Sequence, residues 1–373
     1  MMADITPPTS HATEAFDIVS KYHSLLSADA DLTPPIAAIE SLIALLTASP
    51  VTTISETLDL LSHSSATLRS SVPNWIALSA GTDLFQRYLV QTLNRPGALG
   101  SGGDFGYLRQ HLLSNGRLFV QRAKKARAKI ADEGRLFIHE GSTILTNGGS
   151  RVVSALLLRA AESQPSGPRF RVIYVLPLSS SSKTLGKAEG EGQPTITLLR
   201  SHSVPVACIP YSALATALPL IDLVVVGAEG VVENGGIISR LGTHQIGLLA
   251  RSAGKPMYVA AESYKFVRLY PLGMSDLPVR QNIIKFEPVD EDKEEEEEEE
   301  VRAVMDGKEK TDGAENDETD ADAMAKRRQQ GKEITSLEDA VDFTPPNLIS
   351  ALITENGVLT PSAVSEELIK LWF

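Results

Sequence analysis

The chain has 373 residues, 42% hydrophobic and 22% charged, a globular composition long enough for two or three domains. Its formal net charge is −12, yet residues 287–333 alone hold 20 acidic and 8 basic residues, so the remainder is neutral. That distribution excludes a whole-protein field able to capture nucleic acid or an anionic membrane, and neither is expected as a direct partner.

The single cysteine, Cys208, excludes an internal disulfide framework and points to a reducing compartment. No apolar run reaches the roughly 18 residues of a bilayer span. Met1 to Ser10 lacks the basic start and apolar core of a secretory signal, so a soluble protein of the cytosol is expected.

The first third reads as helices. Thr33-Pro34-Pro35 has the form of an N-cap followed by first-turn prolines, and Ile36, Ile39, Leu42, Ile43 and Leu46 repeat at helical spacing. Thr53 and Glu56 form a capping-box pattern ahead of Ile54, Leu58, Leu61 and Leu68. Pro73 breaks the chain. Leu78, Phe85, Tyr88 and Leu89 mark a further helix ending near Asn94-Arg95-Pro96-Gly97, and residues 105–131 predict a long, partly basic one.

Beyond residue 135 the pattern changes. Leu136-Phe137-Ile138, Thr143-Ile144-Leu145, Val172 to Val175, Val206 to Ile209, Leu223 to Val226 and Met257 to Val259 read as short strands. Helical stretches lie at Val152 to Ala161 and Gln245 to Ser252. The expected class is α/β: an N-terminal helical domain, 1–132, then a Rossmann-like doubly wound parallel sheet, 133–373. Ser179 to Pro194 reads as a surface loop. A segment at about 287–335, with Glu294 to Glu300 unbroken, repels itself and is expected to be disordered. Order returns at Val341-Asp342-Phe343, and a last helix opened by Thr360-Pro361 ends in an apolar tail expected to dock within the chain.

Two Gly-rich turns could carry chemistry. Asn147-Gly148-Gly149-Ser150 follows a strand and opens a helix, where backbone N–H groups favour anions, and Arg151 stands beside it. The same turn also reads as a plain strand-to-helix turn needing glycine, and both readings stay open. The second, Gly227 to Gly236, follows the most apolar strand, and ligands in open parallel sheets bind beyond such carboxyl ends. Glu229 and Glu233 would project there, with Arg240 following, either to hold sugar hydroxyls and a phosphate or to form a structural ion pair.

Dinucleotide and P-loop glycine motifs, metal-ligand histidine spacing and a nucleophile elbow are absent from the sequence, so no cofactor is implied. Arg122, Lys124, Lys125, Arg127 and Lys129 form the strongest basic cluster. It reads as a site for a phosphorylated partner or as a solvated helix face paired to nearby acids.

The stretch Val226-Gly227-Ala228-Glu229-Gly230-Val231-Val232-Glu233-Asn234-Gly235-Gly236-Ile237-Ile238, with Leu241-Gly242-Thr243, resembles the signature of the alpha, beta and delta regulatory subunits of translation initiation factor 2B. Ala261-Glu262-Ser263-Tyr264-Lys265-Phe266, Ile144-Leu145-Thr146 and Gly357 to Ser365 fit the same family. The resemblance covers most of residues 10–286 and 341–373.

That family is similar to isomerases of methylthioribose 1-phosphate and ribose 1,5-bisphosphate. The resemblance aligns their catalytic cysteine with Gly148 and their catalytic aspartate with Glu229, and their Asn-Lys pair with Ser239-Arg240. What it implies is a regulatory subunit that does not turn over substrate, because Gly148 offers no thiol; the alternatives are a sugar-phosphate isomerase that uses Glu229 with another acid or base, or an inactive sensor derived from one that still binds a sugar phosphate or nucleotide. It further implies a homodimer that bridges the exchange factor for initiation factor 2. Implied partners are the beta and delta subunits, through them gamma and epsilon, and the phosphorylated alpha subunit of initiation factor 2. A sugar phosphate or nucleotide is the candidate ligand, held by Asn147, Gly148, Gly149, Ser150, Arg151, Glu229, Asn234, Arg240 and Lys265.

Overall fold

The computed structural model describes residues 16–29, 32–49, 51–93, 105–164, 167, 169–177, 190–279, 281, 283–284 and 339–372. The turn at 94–97, most of the loop at 179–194 and the acidic segment at 287–335 lie outside them.

Five helices come first: α1 (Ile18–Ala28), α2 (Pro34–Ala48), α3 (Ile54–Ser71), α4 (Ile76–Leu93) and α5 (Phe105–Gly134). α2 is the hub. Ile36, Ile39, Leu42 and Leu46 are buried as their spacing predicts, and Ala37 and Ala38 are buried as well. Packing is tight enough that a Cβ on Gly81 of α4 would lie 2.6 Å from Pro35 Cβ. The capping box of α3 is formed: Glu56 N–H donates to Thr53 Oγ1 at 3.2 Å, and Thr53 N–H to Glu56 Oε2 at 3.2 Å. Thr33 stands at the N-cap of α2, but its hydroxyl makes no cap bond and instead meets the Tyr264 hydroxyl at 3.4 Å.

The α/β region follows as β1 (Thr143–Asn147), α6 (Arg151–Glu162), β2 (Arg171–Leu176), α7 (Gln193–Ser201), β3 (Val206–Pro210), α8 (Leu214–Ala217), β4 (Leu223–Gly227), β5 (Gly230–Val232), β6 (Ile237–Arg240), α9 (Thr243–Ser252), β7 (Met257–Ala260) and β8 (Phe266–Val267). It closes with β9 (Val341–Thr344), β10 (Ala351–Thr354), β11 (Gly357–Leu359) and α10 (Val364–Trp372).

The main sheet has the order β11-β10-β7-β4-β1-β2-β3, parallel throughout except for the β10–β11 hairpin. Alternate residues serve opposite faces. Ile144, Val172, Tyr174 and Val225 pack against α6 and α7, whereas Leu145, Ile173, Val224 and Val226 pack on the side of α8, α9 and α10. Burial on both faces explains the continuous apolar runs. Ile130 and Ala131 near the end of α5 join the first of these cores. The apolar tail docks within the chain through Val364 and Leu368.

Two sequence expectations need correction. Leu136-Phe137-Ile138 is no strand: Arg135–Phe137 form one 3-10 turn, and Leu136 is 60% exposed. Both edges of β1 are already taken, by β2 and β4, so a strand there has no place to pair. The Gly227–Gly236 stretch is not one long turn either. It contains β5 and the turn into β6, which with β8 and β9 build a second, four-stranded sheet of order β8-β5-β6-β9.

Candidate functional site

From β1 the chain steps to β2 and β3 on one side, and returns through β4 to β7 and β10 on the other. The switch point lies between β1 and β4, and a crevice opens beyond their carboxyl ends. The first Gly-rich turn and the start of the second stretch, Gly227 to Glu229, sit there. A cavity of about 710 Å³ occupies this position. Its floor is Asn147 to Arg151, Glu229, Arg240 and Lys265, and its roof comes from the helical region through Tyr22, Thr33 and Asn74.

The first turn leaves β1 through Gly148, whose φ of +69° favours glycine. Ser150 then caps α6, its hydroxyl accepting the Val153 N–H at 3.5 Å. The Asn147 amide is committed to structure: Nδ2 donates to the Tyr211 hydroxyl at 3.1 Å and to Thr243 Oγ1 at 3.0 Å.

Glu229 follows β4. Its carboxylate accepts the Asn74 amide and faces Arg240 Nε at 3.3 Å, leaving 21% of the side chain exposed. Burial raises this carboxyl above the ordinary carboxylate range, against the pull of Arg240, Asn74 and Lys265. Arg240, the last residue of β6, also meets Glu191 Oε1 at 3.0 Å. Lys265 donates to Ala228 O at 3.0 Å and pairs with Glu262 Oε2 at 3.0 Å. Glu262 is 1% exposed; burial opposes its charge, but Lys265 and Arg127 outweigh that and hold its carboxyl below the usual range. Ser239 Oγ and Glu262 Oε1 are buried without a hydrogen-bond partner among the described residues, and both residues line the cavity. Such orphan groups on a cavity wall are suited to a hydroxyl-bearing ligand.

Eight of the nine expected site residues thus converge. Asn234 does not line the cavity: Nδ2 donates to Pro271 O at 2.9 Å and Oδ1 accepts the Gly236 N–H at 2.9 Å, so it braces the β5–β6 turn. Glu233 also turns away, toward Arg268 at 3.7 Å. Sequence reasoning missed Asn74, Glu191 and Ser239 as cavity residues. Asn74 follows the Pro73 break and Glu191 sits in a stretch read as a surface loop, so neither carried a local signal. On α5 the basic cluster divides: Lys124 pairs with Glu40 at 3.0 Å, Arg127 influences Glu262 inward, and Arg122, Lys125 and Lys129 are exposed.

Among the described residues no group of three or more His, Cys, Asp or Glu could hold a metal, and no helix is long and apolar enough to cross a membrane.

The architecture is that of an α/β protein with a helical N-terminal region, a mostly parallel central sheet and, at its switch point, a cavity with several charged residues in its lining. Residues 28–361 match the Initiation factor 2 subunit family, and the chain belongs to that family. It is 33% identical to translation initiation factor eIF2B subunit alpha of Dictyostelium discoideum, over 98% of this chain and 99% of that one. A ribose 1,5-bisphosphate isomerase of Archaeoglobus fulgidus is 32% identical over 44% of this chain and 49% of its own length. Among solved structures, a chain of the tetrameric eIF2B-beta2-delta2 complex from C. thermophilum superposes with a TM-score of 0.63 over 95% of each chain, at 16% identity.

Proposed function

We propose that this chain is a non-catalytic regulatory subunit of the initiation factor 2B exchange factor, of the alpha type. In this role it supports GDP/GTP exchange on initiation factor 2, takes part in sensing the phosphorylated alpha subunit of that factor, and bridges the assembly as a homodimer in the cytosol. The observation that carries the reading is the end-to-end match to an alpha subunit at 33% identity, over 98% of this chain, against isomerase matches at 32% identity over 44% of it and at 26% over 71%. Beta and delta subunits, and through them gamma and epsilon, are the proposed companions. Exposed Leu220 and Leu248 supply apolar surface for subunit contact, and exposed Arg122, Lys125 and Lys129 supply charge for a phosphorylated one.

Two features speak against isomerase activity. Gly148 places no nucleophile at the turn, and the Glu229 carboxylate is engaged by Asn74 and Arg240. The cavity nevertheless keeps the means to hold a phosphate-bearing ligand such as a sugar phosphate or nucleotide, through the start of α6, Arg151, Arg240 and the orphan acceptors Ser239 and Glu262. The chain is thereby read as a subunit that binds such a ligand without converting it.

The test is co-expression with tagged beta and delta homologues, followed by nucleotide release from initiation factor 2 with and without its phosphorylated alpha subunit. Co-purification, and loss of phospho-sensitivity when this chain is omitted, are expected. A chain that stays apart and turns over ribose 1,5-bisphosphate overturns the reading.

A further inference from the structure

Among the described residues the cavity wall carries a surplus of acid. Glu191, Glu229, Glu262 and Asp339 line it against Arg151, Arg240 and Lys265. An incoming anion therefore meets a site that is already charge-satisfied, although its backbone geometry favours anions. The carboxylates are not equally fixed. Glu262 is buried and paired to Lys265, and Glu229 is tied to Asn74 as well as Arg240. Glu191, just ahead of α7, is 39% exposed and holds Arg240 Nε at 3.0 Å. It also lies over the first Gly-rich turn: a Cβ on Gly149 would be 2.6 Å from Glu191 Cγ and 3.1 Å from its Oε1. One carboxylate of the chain thus stands between Arg240 and the start of α6, where the negative head of a ligand would be held.

We propose that Glu191 is a built-in competitor that occupies the anion position of the cavity and that only a phosphate monoester head displaces. The proposal rests on the reading that the cavity takes a phosphate-bearing ligand. Its chemistry selects among anions. A carboxylate ligand exchanges one monoanion for another at Arg240 and gains nothing there. A phosphate monoester brings about −1.5 to −2 charges at pH 7 and three acceptor oxygens, enough to take Arg240 and the α6 N–H groups together. Displacement also frees Glu191 toward solvent, which removes a like charge from beside Glu229.

Calorimetric titration of the full chain with ribose 5-phosphate and with inorganic phosphate tests this. Wild type is compared with Glu191→Ala, Glu191→Gln and Glu140→Gln, the last removing the same charge from an exposed pair with Arg169. Both Glu191 variants are expected to bind ribose 5-phosphate about tenfold tighter, the scale of releasing one carboxylate from a half-buried arginine, with Glu140→Gln unchanged. Acetate should bind wild type undetectably. Equal affinity in wild type and the Glu191 variants removes the competitor role while leaving the cavity reading intact. Tightening in Glu140→Gln as well reduces the effect to net charge and overturns the role. Absence of binding in every protein, with melting curves unchanged from wild type, overturns the cavity reading and the proposal with it.

Discussion

Asp342 of β9 accepts the backbone N–H groups of Gly242 and His244 at 2.7 and 2.9 Å, so a strand of the small sheet caps the first turn of α9 across about a hundred residues of chain. The same turn reaches the cavity, because Thr243 Oγ1 donates to Arg240 O at 2.7 Å and accepts from Asn147 at 3.0 Å. Asp342 Oδ1 is buried without a partner among the described residues. Burial pushes this carboxyl from 3.8 up to about 7, against the pull of the helix N–H groups.

The folded value exceeds the unfolded one, so the native state holds more protons between pH 4 and pH 7. The stability this group contributes is complete below about pH 4 and is lost as pH rises through 7, with every tenfold gain in proton affinity on folding worth ~1.4 kcal/mol. Asp342→Asn keeps an acceptor for the helix start and removes the titration. The variant should gain stability relative to wild type as pH is raised from 5 to 8. Urea midpoints that move in parallel for the two proteins over that range would rule this out.

Glu262 and Lys265 give the opposite sign. The Glu262 carboxyl is held low, so its contribution is present at neutral pH and lost as pH falls through the folded value. Lys265→Met leaves a buried carboxylate short of its nearest cation and should cost ~3–5 kcal/mol. Glu262→Gln with Lys265→Met should recover much of that loss. A double-mutant cycle in urea reads the coupling, and a cycle that sums to zero would refute it.

Helix α2, the capping box of α3 and the central strands were legible because each is written locally, in 3.6-residue spacing, in Thr53 and Glu56, or in β-branched runs. The small sheet was not. β5 has three residues and β8 two, too few for any period to register, and β9 follows about seventy residues after β8. The site divides in the same way. Gly148 and Glu229 lie on stretches that announce themselves by glycine, and Arg240 ends the strand that follows the second of them. Asn74 reaches Glu229 from 155 residues away, a juxtaposition made only by docking the helical region onto the sheet.

That docking depends on close helix packing as well. Gly81 of α4 faces Pro35 of α2, and a Cβ there would lie 2.6 Å from Pro35 Cβ and 2.9 Å from its Cα. Pro35 lines the cavity roof. Gly81→Ala gains helix propensity of ~1 kcal/mol but must push the helices apart, at a typical ~1–3 kcal/mol. Net destabilisation is expected, with α2 amides exchanging faster with deuterium and β1 amides unchanged. A stabilised Gly81→Ala protein would show that the two helices yield freely.

Gly148 stands where the resemblance aligns the isomerases' cysteine. Its φ of +69° makes any side chain there cost about 1–2 kcal/mol, but space is adequate, since a new Cβ would meet only Arg240 Cγ at 3.5 Å and Cβ at 4.0 Å. Gly148→Cys should therefore fold with a lowered melting temperature and a thiol that reacts with maleimide. It should still fail to isomerise ribose 1,5-bisphosphate. The Glu229 carboxylate remains pinned between Asn74 and Arg240, and a displacement of about 1 Å at a reacting group can cost 100-fold. Gly148→Cys with Glu229→Asp removes the extra methylene but also slackens both of those contacts, so it too should stay inactive. Turnover by Gly148→Cys in a coupled ketose assay would mean that only the thiol separates this cavity from an enzyme, and turnover by the double variant alone that the thiol and the shorter acid together do.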